Sequence, residues 1–265
     1  MIKDTQAKIL HKERWKDYYL FSLESPRIAH QAQPGQFIMV RVTSEPYPLL
    51  RRPLSIHSKE GNNIEIFFQI TGLGTSQLSK KTTNDALDIL GPLGKGFNIT
   101  SDLEGKDVVL VGGGRGMAPL YFLAHQLRSL TSSAKVFYGG KTLEDLPLKE
   151  KLETNGFETY CSTDDGSFGF EGLVSDYLKA ELEHLAPACI FACGPEPMMK
   201  KIAEMARAKK IPAEFSLESV MGCGFGACWG CVKRIKKGDE EEWLKICEEG
   251  PVFSADEIIW QEEEK

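Results

Sequence analysis

Short β-rich runs, in which apolar and aromatic residues predominate, occur in the first third of the chain. Four such runs, separated by polar and Gly/Pro segments, lie at residues 18–21, 37–42, 64–70 and 86–90. Each resembles a β-strand, in which alternate side chains point to opposite faces, and no helical period of useful length interrupts them. The pattern predicts an antiparallel Greek-key barrel over residues 1–100, closed by the turn-rich segment 91–97.

Beyond Gly105 the pattern changes to apolar strands that alternate with amphipathic helices. Strands are predicted at 108–111, 135–138, 158–161 and 190–193, and a helix at 119–130. This alternation predicts a parallel α/β domain over residues 101–213. Ligands of such sheets bind at the carboxyl ends of the strands, so the turns that follow these strands are candidate binding segments.

The last fifty residues combine a glycine-rich loop with a short hairpin. A strand is predicted at 215–217, and runs at 232–235 and 243–247 are joined by a polar turn. Because this module, residues 214–265, has little apolar content, we expect its stability to depend on a bound metal group. The acidic end, 261–265, is expected to be a frayed tail. The predicted fold class is multidomain α/β plus β.

Charge and composition exclude several classes of protein. A formal net charge of -6 and a pI near 5.5 argue against a nucleic-acid surface. No apolar run reaches the roughly 18 residues of a membrane span, and no signal peptide is evident, so we expect a cytoplasmic protein. In a reducing compartment the seven cysteines are expected to be ligands, redox groups or core residues, with Cys161 and Cys189 in the core.

The glycine-rich loop carries Cys223, Cys228 and Cys231 in a C-x4-C-x2-C spacing, and Cys247 follows. This is the ligand pattern of a plant-type [2Fe-2S] cluster. The intervening glycines allow a tight loop that presents backbone N–H groups to sulfur. Zinc sites favour paired C-x2-C knuckles, and only Cys228 and Cys231 form one. Zinc and disulfides remain the competing interpretations.

Several segments have the chemistry of phosphate sites. Arg52 can pair with a phosphate within Arg52-Pro53-Leu54-Ser55, and the glycine turn at 71–75 offers exposed amides. The turn Gly112–Gly116 joins a strand to a helix, so a diphosphate can approach both its backbone and the helix N-terminus. It matches neither a dinucleotide fingerprint nor a Walker loop. A solvated basic loop, a hairpin and a structural glycine turn are the alternative interpretations.

These segments resemble motifs of the ferredoxin–NADP reductase superfamily. Arg52–Ser55 resembles its flavin motif, with Leu54 in place of a tyrosine, and the turn at 193–198 resembles its C-G-P-x-P-M motif. The resemblance implies FAD and NAD as cofactors, and Ser55 and Cys193 as the catalytic positions beside the flavin and nicotinamide rings. No basic pair near Gly139 and Gly140 suits a 2′-phosphate, which favours NAD over NADP. The implied cofactor-binding residues are Arg52, Pro53, Leu54, Ser55, Phe67, Phe68, Gln69, Gly74, Thr75, Gly112, Gly113, Gly114, Gly116, Met117, Thr163, Asp164, Cys193, Gly194 and Pro195.

The order of the three units, with segments 219–224 and 250–253, is similar to the electron-transfer subunits of two-subunit, NAD-linked dihydroorotate dehydrogenases. That resemblance implies that Cys223, Cys228, Cys231 and Cys247 bind a [2Fe-2S] cluster. It also implies electron transfer between NAD and the FMN of a catalytic partner in pyrimidine biosynthesis, in a heterotetramer with two of each chain. Related layouts serve sulfide dehydrogenase and bifurcating transhydrogenase. A redox sensor and a stand-alone reductase are the other classes considered.

Three further residues carry separate expectations. Phe225 and Trp229, next to the cluster cysteines, are candidate docking residues for the partner. Arg115 departs from the aliphatic residue usual in the resembled glycine turn and is a candidate charge partner for a diphosphate or another protein, or a solvent-exposed side chain. His57, two residues beyond the flavin motif, is expected to be a structural or surface histidine.

Overall fold

The computed structural model describes residues 1–260, and the predicted tail 261–265 lies outside them. Six antiparallel strands form a closed barrel in the order β1-β2-β5-β4-β3-β6, which confirms the predicted barrel. The longest strand, β1, was not predicted, and it closes the barrel by pairing with both β2 and β6. The strands are β1 (Ile2–Trp15), β2 (Tyr18–Glu24), β3 (Phe37–Arg41), β4 (Arg52–Glu60), β5 (Asn63–Gln69) and β6 (Ala86–Leu93).

The barrel interior is filled by alternate side chains of these strands. Leu23, Ile38, Ile56, Ile66 and Phe68 are fully or almost fully buried in one apolar cluster. Closure leaves no strand edge unpaired around this core. The barrel is therefore a rigid wall against which the rest of the chain packs.

Two short helices interrupt the barrel, α1 (Pro26–Ala29) and α2 (Leu73–Ser79). The second corrects the predicted glycine turn at 71–75. The Thr75 hydroxyl accepts hydrogen bonds from the backbone N–H groups of Thr71 and Gly72, at 2.9 and 3.3 Å. Side-chain capping of this kind satisfies amides that a helix start leaves unpaired, so the chain enters a helix there and not a plain turn.

A seven-stranded sheet follows in the order β10-β9-β8-β7-β11-β12-β15, and its strands are parallel except for β15. This confirms the predicted parallel α/β domain. Helix α3 starts two residues earlier than predicted, directly after a 3-10 turn at Gly114–Gly116. The elements are β7 (Asp107–Gly113), α3 (Met117–Leu127), β8 (Ser133–Gly140), α4 (Lys149–Thr154), β9 (Glu158–Thr163), β10 (Phe170–Glu171), α5 (Val174–Glu181), β11 (Cys189–Cys193), α6 (Glu196–Lys209) and β12 (Ala213–Ser216), with 3-10 turns at Ser101–Leu103 and Leu143–Asp145.

The strand order reverses between β7 and β11. From β7 the chain proceeds to β8 and β9 on one side, whereas β11 and β12 lie on the other. A crevice opens at the carboxyl ends of two strands whose connections leave in opposite directions. The turn Gly112–Gly116 and the turn that begins at Cys193 therefore meet at one place.

The C-terminal segment contains a hairpin, a short helix and a strand: β13 (Val232–Lys237), β14 (Glu240–Lys245), α7 (Ile246–Glu249) and β15 (Val252–Ser254). The hairpin was predicted, but Cys247 lies in α7 and not at the end of the second strand. Strand β15 pairs with β12, so the chain returns to the large sheet. Across residues 1–260 we find no helix long and apolar enough to cross a bilayer.

The apolar residues of this segment belong to the core of the large sheet. Ile235, Ile246 and Phe253 are buried in the same cluster as Val109 and Phe215. The sequence predicts that this module depends on a bound metal group for much of its stability. The structure adds a second contribution that the sequence did not show, because these side chains are removed from water in the core of the sheet.

His57 joins the barrel to α3. Its ring is fully buried and stacks on Tyr121 with the centroids 4.2 Å apart, and Nδ1 lies 3.1 Å from the carbonyl oxygen of Ala118. The prediction of a structural histidine is therefore confirmed, and the alternative of a surface histidine is wrong. Burial, assisted by the charge of Lys151, lowers the pKa of His57 to about 3.

This histidine predicts a pH dependence of stability. The unfolded chain binds a proton at His57 below about pH 6.5, whereas the folded protein does not until about pH 3. Between these values the free energy of unfolding therefore falls by about 1.4 kcal/mol for each unit by which the pH is lowered. We expect His57→Phe, which keeps an aromatic ring there, to have a shallower loss of stability between pH 7 and pH 5. Unfolding midpoints across that range measure it. His30→Phe, at an exposed position, is the control, and equal slopes for both variants would contradict the prediction.

Candidate functional site

A cleft between the barrel and the large sheet, here called the first cleft, collects most of the predicted flavin residues. Its sheet side includes Ala118, Cys193 and Ser216, and Met221 and Pro251 come from the C-terminal segment. Ser55 and Cys193, predicted from separate motifs, line the same cleft. Its barrel side consists of Phe37, Arg52, Pro53, Leu54, Ser55, Phe67, Phe68, Gln69, Thr71 and Thr75. An apolar slot with one arginine, Arg52, on its barrel side suits a planar ring system that carries phosphate.

The two adjacent arginines have different roles. Arg51 donates to the Asp88 carboxylate at 2.8 Å and to the Asp88 carbonyl at 2.7 Å, and both side chains are largely buried. Arg51 therefore fastens the start of β4 to β6. Arg52 lines the first cleft and is the cation available for a phosphate there.

Gly74 gives the Arg52 side chain its space. A Cβ atom at Gly74 would lie 2.2 Å from Nε of Arg52, which is far inside van der Waals contact. Gly74 is not among the residues that line the first cleft. Its position acts on the cleft through Arg52.

A second cleft of about 600 Å³ opens at the crevice between β7 and β11. The hydroxyl of Ser175 lies on its wall, buried and without a hydrogen-bond partner among the described residues. Its residues include Gly113, Gly114, Arg115, Gly139, Gly140, Lys141, Asp164, Gly194, Pro195, Pro197, Met198 and Lys201. Close backbone turns, a helix N-terminus, three cations and an unpaired hydroxyl fit an elongated anionic dinucleotide.

Four of the predicted nucleotide residues line neither cleft. Gly112 packs against Met117, and Gly116 lies against the carbonyl oxygen of Cys193. The Thr163 hydroxyl bonds to the backbone of Phe168 and shapes the turn after β9. These residues set the turn geometry, whereas Gly113, Gly114, Asp164, Gly194 and Pro195 lie on the cleft surface.

The two clefts meet at three residues that line both, Gln69, Arg115 and Glu218. Arg115 and Glu218 form an ion pair with an N–O distance of 2.8 Å. Cys193 is buried at this junction, and burial raises the pKa of its thiol well above the ordinary value. Cys193 is thus a neutral thiol at the junction and not a thiolate nucleophile.

The four cysteines of the C-terminal segment form two pairs. The N–H of Cys228 donates to Sγ of Cys223 at 3.3 Å, and the N–H of Cys247 donates to Sγ of Cys231 at 3.5 Å. No three His, Cys, Asp or Glu side chains within residues 1–260 are grouped as ligands of a single metal ion. Two pairs of thiols suit two irons that each take two thiolates, so the donor set fits a [2Fe-2S] cluster.

Backbone amides surround these sulfurs. The N–H of Gly226 donates to Sγ of Cys247 at 3.2 Å, and the N–H of Phe225 donates to Sγ of Cys223 at 3.5 Å. Burial alone would raise the pKa of Cys223, but the N–H groups of Cys228 and Phe225 lower it to about 6. Burial and the neighbouring Cys231 raise the pKa of Cys247 to about 12. A metal must therefore displace the Cys247 proton, whereas Cys223 is already close to its thiolate form.

Gly224 holds the cysteine loop against the barrel. Its φ is +81°, and a Cβ atom there would lie 2.4 Å from Cγ of Met39 on β3. Since Met221, two residues before the first cysteine, lines the first cleft, the loop is adjacent to that cleft. On the outer side, large apolar residues remain in solvent, with Val220 86%, Phe225 44% and Trp229 66% exposed.

The sequence interpretation missed several residues of the site, among them Ser175 and Asp145 on the wall of the second cleft. Ser216 lies at the end of β12 and Glu218 just beyond it, so the rule used for the other strand ends could have found them. Lys201 lies one turn into α6, after the turn that begins at Cys193. Tyr18 had no signal, because domain packing brings this barrel residue to the second cleft, where its hydroxyl donates to Asp145 at 3.0 Å.

Comparison with known proteins matches two parts of the chain to family models, the α/β domain and the cysteine segment. The family model for the iron-sulfur cluster binding domain of dihydroorotate dehydrogenase B matches residues 218–259, and that for the oxidoreductase NAD-binding domain matches residues 110–204. Curated relatives are called dihydroorotate dehydrogenase B (NAD(+)), electron transfer subunit. That of Geobacillus sp. (strain WCH70) is 38% identical over 98% of this chain and 100% of the relative. That of Desulforamulus reducens is 37% identical over 92% and 93%.

Solved structures agree with this similarity. A chain described in a study of flavin-based electron bifurcation by NADH-dependent reduced ferredoxin-NADP oxidoreductase has a TM-score of 0.85 and 27% identity, covering 97% of this chain and 91% of that one. A ferredoxin NADP+ reductase from Neisseria gonorrhoeae has a TM-score of 0.65 at 20% identity, covering 77% and 91%, which shows a shared fold.

The contact between Gly74 and Arg52 predicts an effect on flavin binding. We expect Gly74→Ala to displace the guanidinium and to weaken FAD binding by about 10-fold to 100-fold, the loss of one hydrogen bond to a charged group. Gly72→Ala is the matched control, because nothing lies within 4 Å of a Cβ atom there. FAD affinity of the two variants after removal and return of the cofactor measures the difference. Equal FAD affinities of the two variants would contradict the proposal that Arg52 binds the flavin phosphate.

The pairing of thiols predicts that each cysteine of the loop is required. We expect Cys231→Ser to lose the visible absorbance and the electron paramagnetic resonance signal of a [2Fe-2S] cluster, while FAD stays bound in the separate first cleft. Cys161→Ser changes a buried cysteine elsewhere in the sheet and should keep both signals. Unchanged spectra in Cys231→Ser would exclude Cys231 as a ligand.

Proposed function

The chain belongs to the family of electron transfer subunits of dihydroorotate dehydrogenase B (NAD(+)), and from this we propose that it carries electrons between NAD(H) and a catalytic partner through FAD and a [2Fe-2S] cluster. The oxidation of dihydroorotate, at an FMN held by the partner, is then the step that this chain serves in pyrimidine biosynthesis. Family membership agrees with the resemblance found in the sequence.

The observation that carries the proposal is the position of the first cleft, which lies between the second cleft and the cysteine segment. On one side it shares Gln69, Arg115 and Glu218 with the dinucleotide cleft. On the other side Met221 and Pro251 connect it to the cysteine segment. A group bound in the first cleft lies beside both, which is the arrangement that a relay requires.

Bound together, FAD exchanges two electrons as a hydride with NAD(H) and single electrons with the cluster. The residues of this chain supply position, electrostatics and exclusion of water. Arg52 and the backbone of Thr75 would hold the flavin diphosphate, since the Thr75 hydroxyl is engaged in the cap of α2. The buried Phe67 and Phe68 would help to keep water from the ring. Ser55 would offer its hydroxyl to the ring, and the neutral Cys193 thiol would lie beside the nicotinamide without adding a charge.

At the cluster, the backbone N–H groups of Phe225 and Gly226 point at sulfur and stabilise its negative charge. Hydrogen bonds to the sulfurs raise the reduction potential of such clusters, because they stabilise the more negative reduced form. The proposed ligands are Cys223, Cys228, Cys231 and Cys247. Gly113, Gly114, Gly194, Pro195 and Asp164 form the proposed surface for NAD, with Gly112, Gly116, Met117 and Thr163 as its supports.

We propose a cytoplasmic hetero-oligomer containing two copies of each chain. The division of the chain at residues 100 and 213 is likewise proposed as the boundary between flavin, NAD and cluster units. The partner is proposed to dock over Val220, Phe225 and Trp229, since these three large apolar side chains of the cysteine loop are exposed beside the proposed cluster ligands. The cluster is then the outlet nearest the partner.

The similarity to the chain from the bifurcation study favours one alternative function, that of an electron-transfer subunit in a bifurcating complex. The similarity covers nearly the whole chain, so a role in an NADH-dependent reduced ferredoxin-NADP oxidoreductase is the second candidate function. The identity of the partner separates the two functions, because only a dihydroorotate dehydrogenase chain supports dihydroorotate oxidation.

The docking proposal predicts separable losses. Co-expressed with the catalytic chain, this protein is expected to purify as a complex that reduces NAD⁺ with dihydroorotate. In the variant Phe225→Ala/Trp229→Ala we expect at least 10-fold weaker assembly, because interface energy concentrates in a few aromatic anchors, with direct reduction of bound flavin by NADH unchanged. Leu143→Ala, at a position 44% exposed on the NAD unit, is the control. A flavin that NADH does not reduce would contradict the proposed function.

A further inference from the structure

The ion pair at the junction of the two clefts has no part in the function proposed so far. We propose that Arg115 exchanges its partner when the dinucleotide binds: the guanidinium leaves the Glu218 carboxylate and pairs with the diphosphate of NAD(H). Arg115 is then a diphosphate-binding residue, and Glu218 is a positioning residue that holds it in place beforehand and competes with the ligand. This inference rests on the proposed binding of NAD(H).

The position of Arg115 suits such an exchange. It lies in the 3-10 turn Gly114–Gly116, between the end of β7 and the start of α3, and this turn lines the second cleft. Glu218 lies on a different element, two residues beyond β12, and its carboxylate is 2.8 Å from the guanidinium. Both residues line both clefts, so the ion pair lies at their junction, beside the proposed dinucleotide surface.

The strength of the pair permits the exchange. The Arg115 and Glu218 side chains are 47% and 49% exposed, and ion pairs of this exposure contribute little net stability. A diphosphate presents more negative charge than one carboxylate and accepts two parallel hydrogen bonds from a guanidinium. The exchange leaves Arg115 paired before and after binding.

The other charged groups of the second cleft are less suited to this role. Lys201 lies 4.0 Å from Asp176, and neither its ammonium nor that of Lys141 can form the bidentate pair. Asp145 caps its own turn at Thr142 and accepts a hydrogen bond from Tyr18. Glu218 is therefore the acidic group that directly neutralises the cation at the turn.

Binding of NAD⁺ and of ADP-ribose to the holoprotein, with FAD and cluster retained, tests the exchange by calorimetry. We expect Arg115→Ala to weaken both ligands by about 10-fold to 100-fold, and Arg115→Lys to weaken them less. Glu218→Gln should tighten both by about 2-fold to 5-fold, since the arginine is released. In Arg115→Ala/Glu218→Gln the tightening should vanish. If the ion pair had a purely structural role, Arg115→Ala would not weaken ligand binding while Glu218→Gln tightens it.

Glu196→Gln is the matched control, because Glu196 forms an ion pair of 2.7 Å with Lys233 and lines neither cleft; its ligand affinities should equal those of the wild type. Unchanged or weaker binding in Glu218→Gln would overturn the exchange. Tightening that persists without Arg115 would also overturn it, since that result indicates direct repulsion between Glu218 and the ligand. A wild-type holoprotein that binds neither ligand would instead overturn the proposed function.

Discussion

The pairing of β15 with β12 is the interaction on which the site depends. Phe253 lies opposite Phe215 in this antiparallel pair, and just before it the N–H of Leu217 donates to the carbonyl oxygen of Pro251 at 2.9 Å. The cysteine segment leaves the sheet after β12 and returns at β15, so both of its ends are fixed to neighbouring strands. The carbonyl of Gly250 also accepts the N–H of Lys95, which ties the same point to the end of the barrel.

This arrangement explains why cofactor surfaces lie close together in a chain of separate units. The flavin cleft has no complete wall in the barrel alone, because Cys193, Ser216, Met221 and Pro251 are supplied by the sheet and by the returning segment. Apolar packing on the sheet holds Ile235 and Ile246 in place beneath the cysteines. The proposed cluster ligands Cys231 and Cys247 therefore belong to the core of the large sheet, and their distance from the first cleft does not rely on a flexible linker.

The charged groups near the junction of the two clefts largely neutralise one another. Cys193 is kept neutral by burial and Arg115 is neutralised by Glu218, while beside the first cleft Arg51 is paired with Asp88. Among the described residues, Arg52 is the cation of the first cleft that no carboxylate neutralises. A redox centre surrounded by few net charges changes its own charge state without a large response from the protein, and a single added or removed charge there has a measurable effect.

The sequence by itself determined the fold class, because the period of the apolar residues and the strand-ending turns are local signals. It also identified the cysteine spacing, which the loop alone encodes, and the glycine turn before α3. The tertiary structure decided what no local pattern contains: that Arg51 is paired with Asp88 whereas Arg52 lines the first cleft, that Tyr18, Ser216 and Glu218 reach the clefts, and that the C-terminal segment shares the core of the sheet. Each of these depends on contacts between residues far apart in the chain. Identical residue types thus acquire different roles through burial and long-range pairing alone.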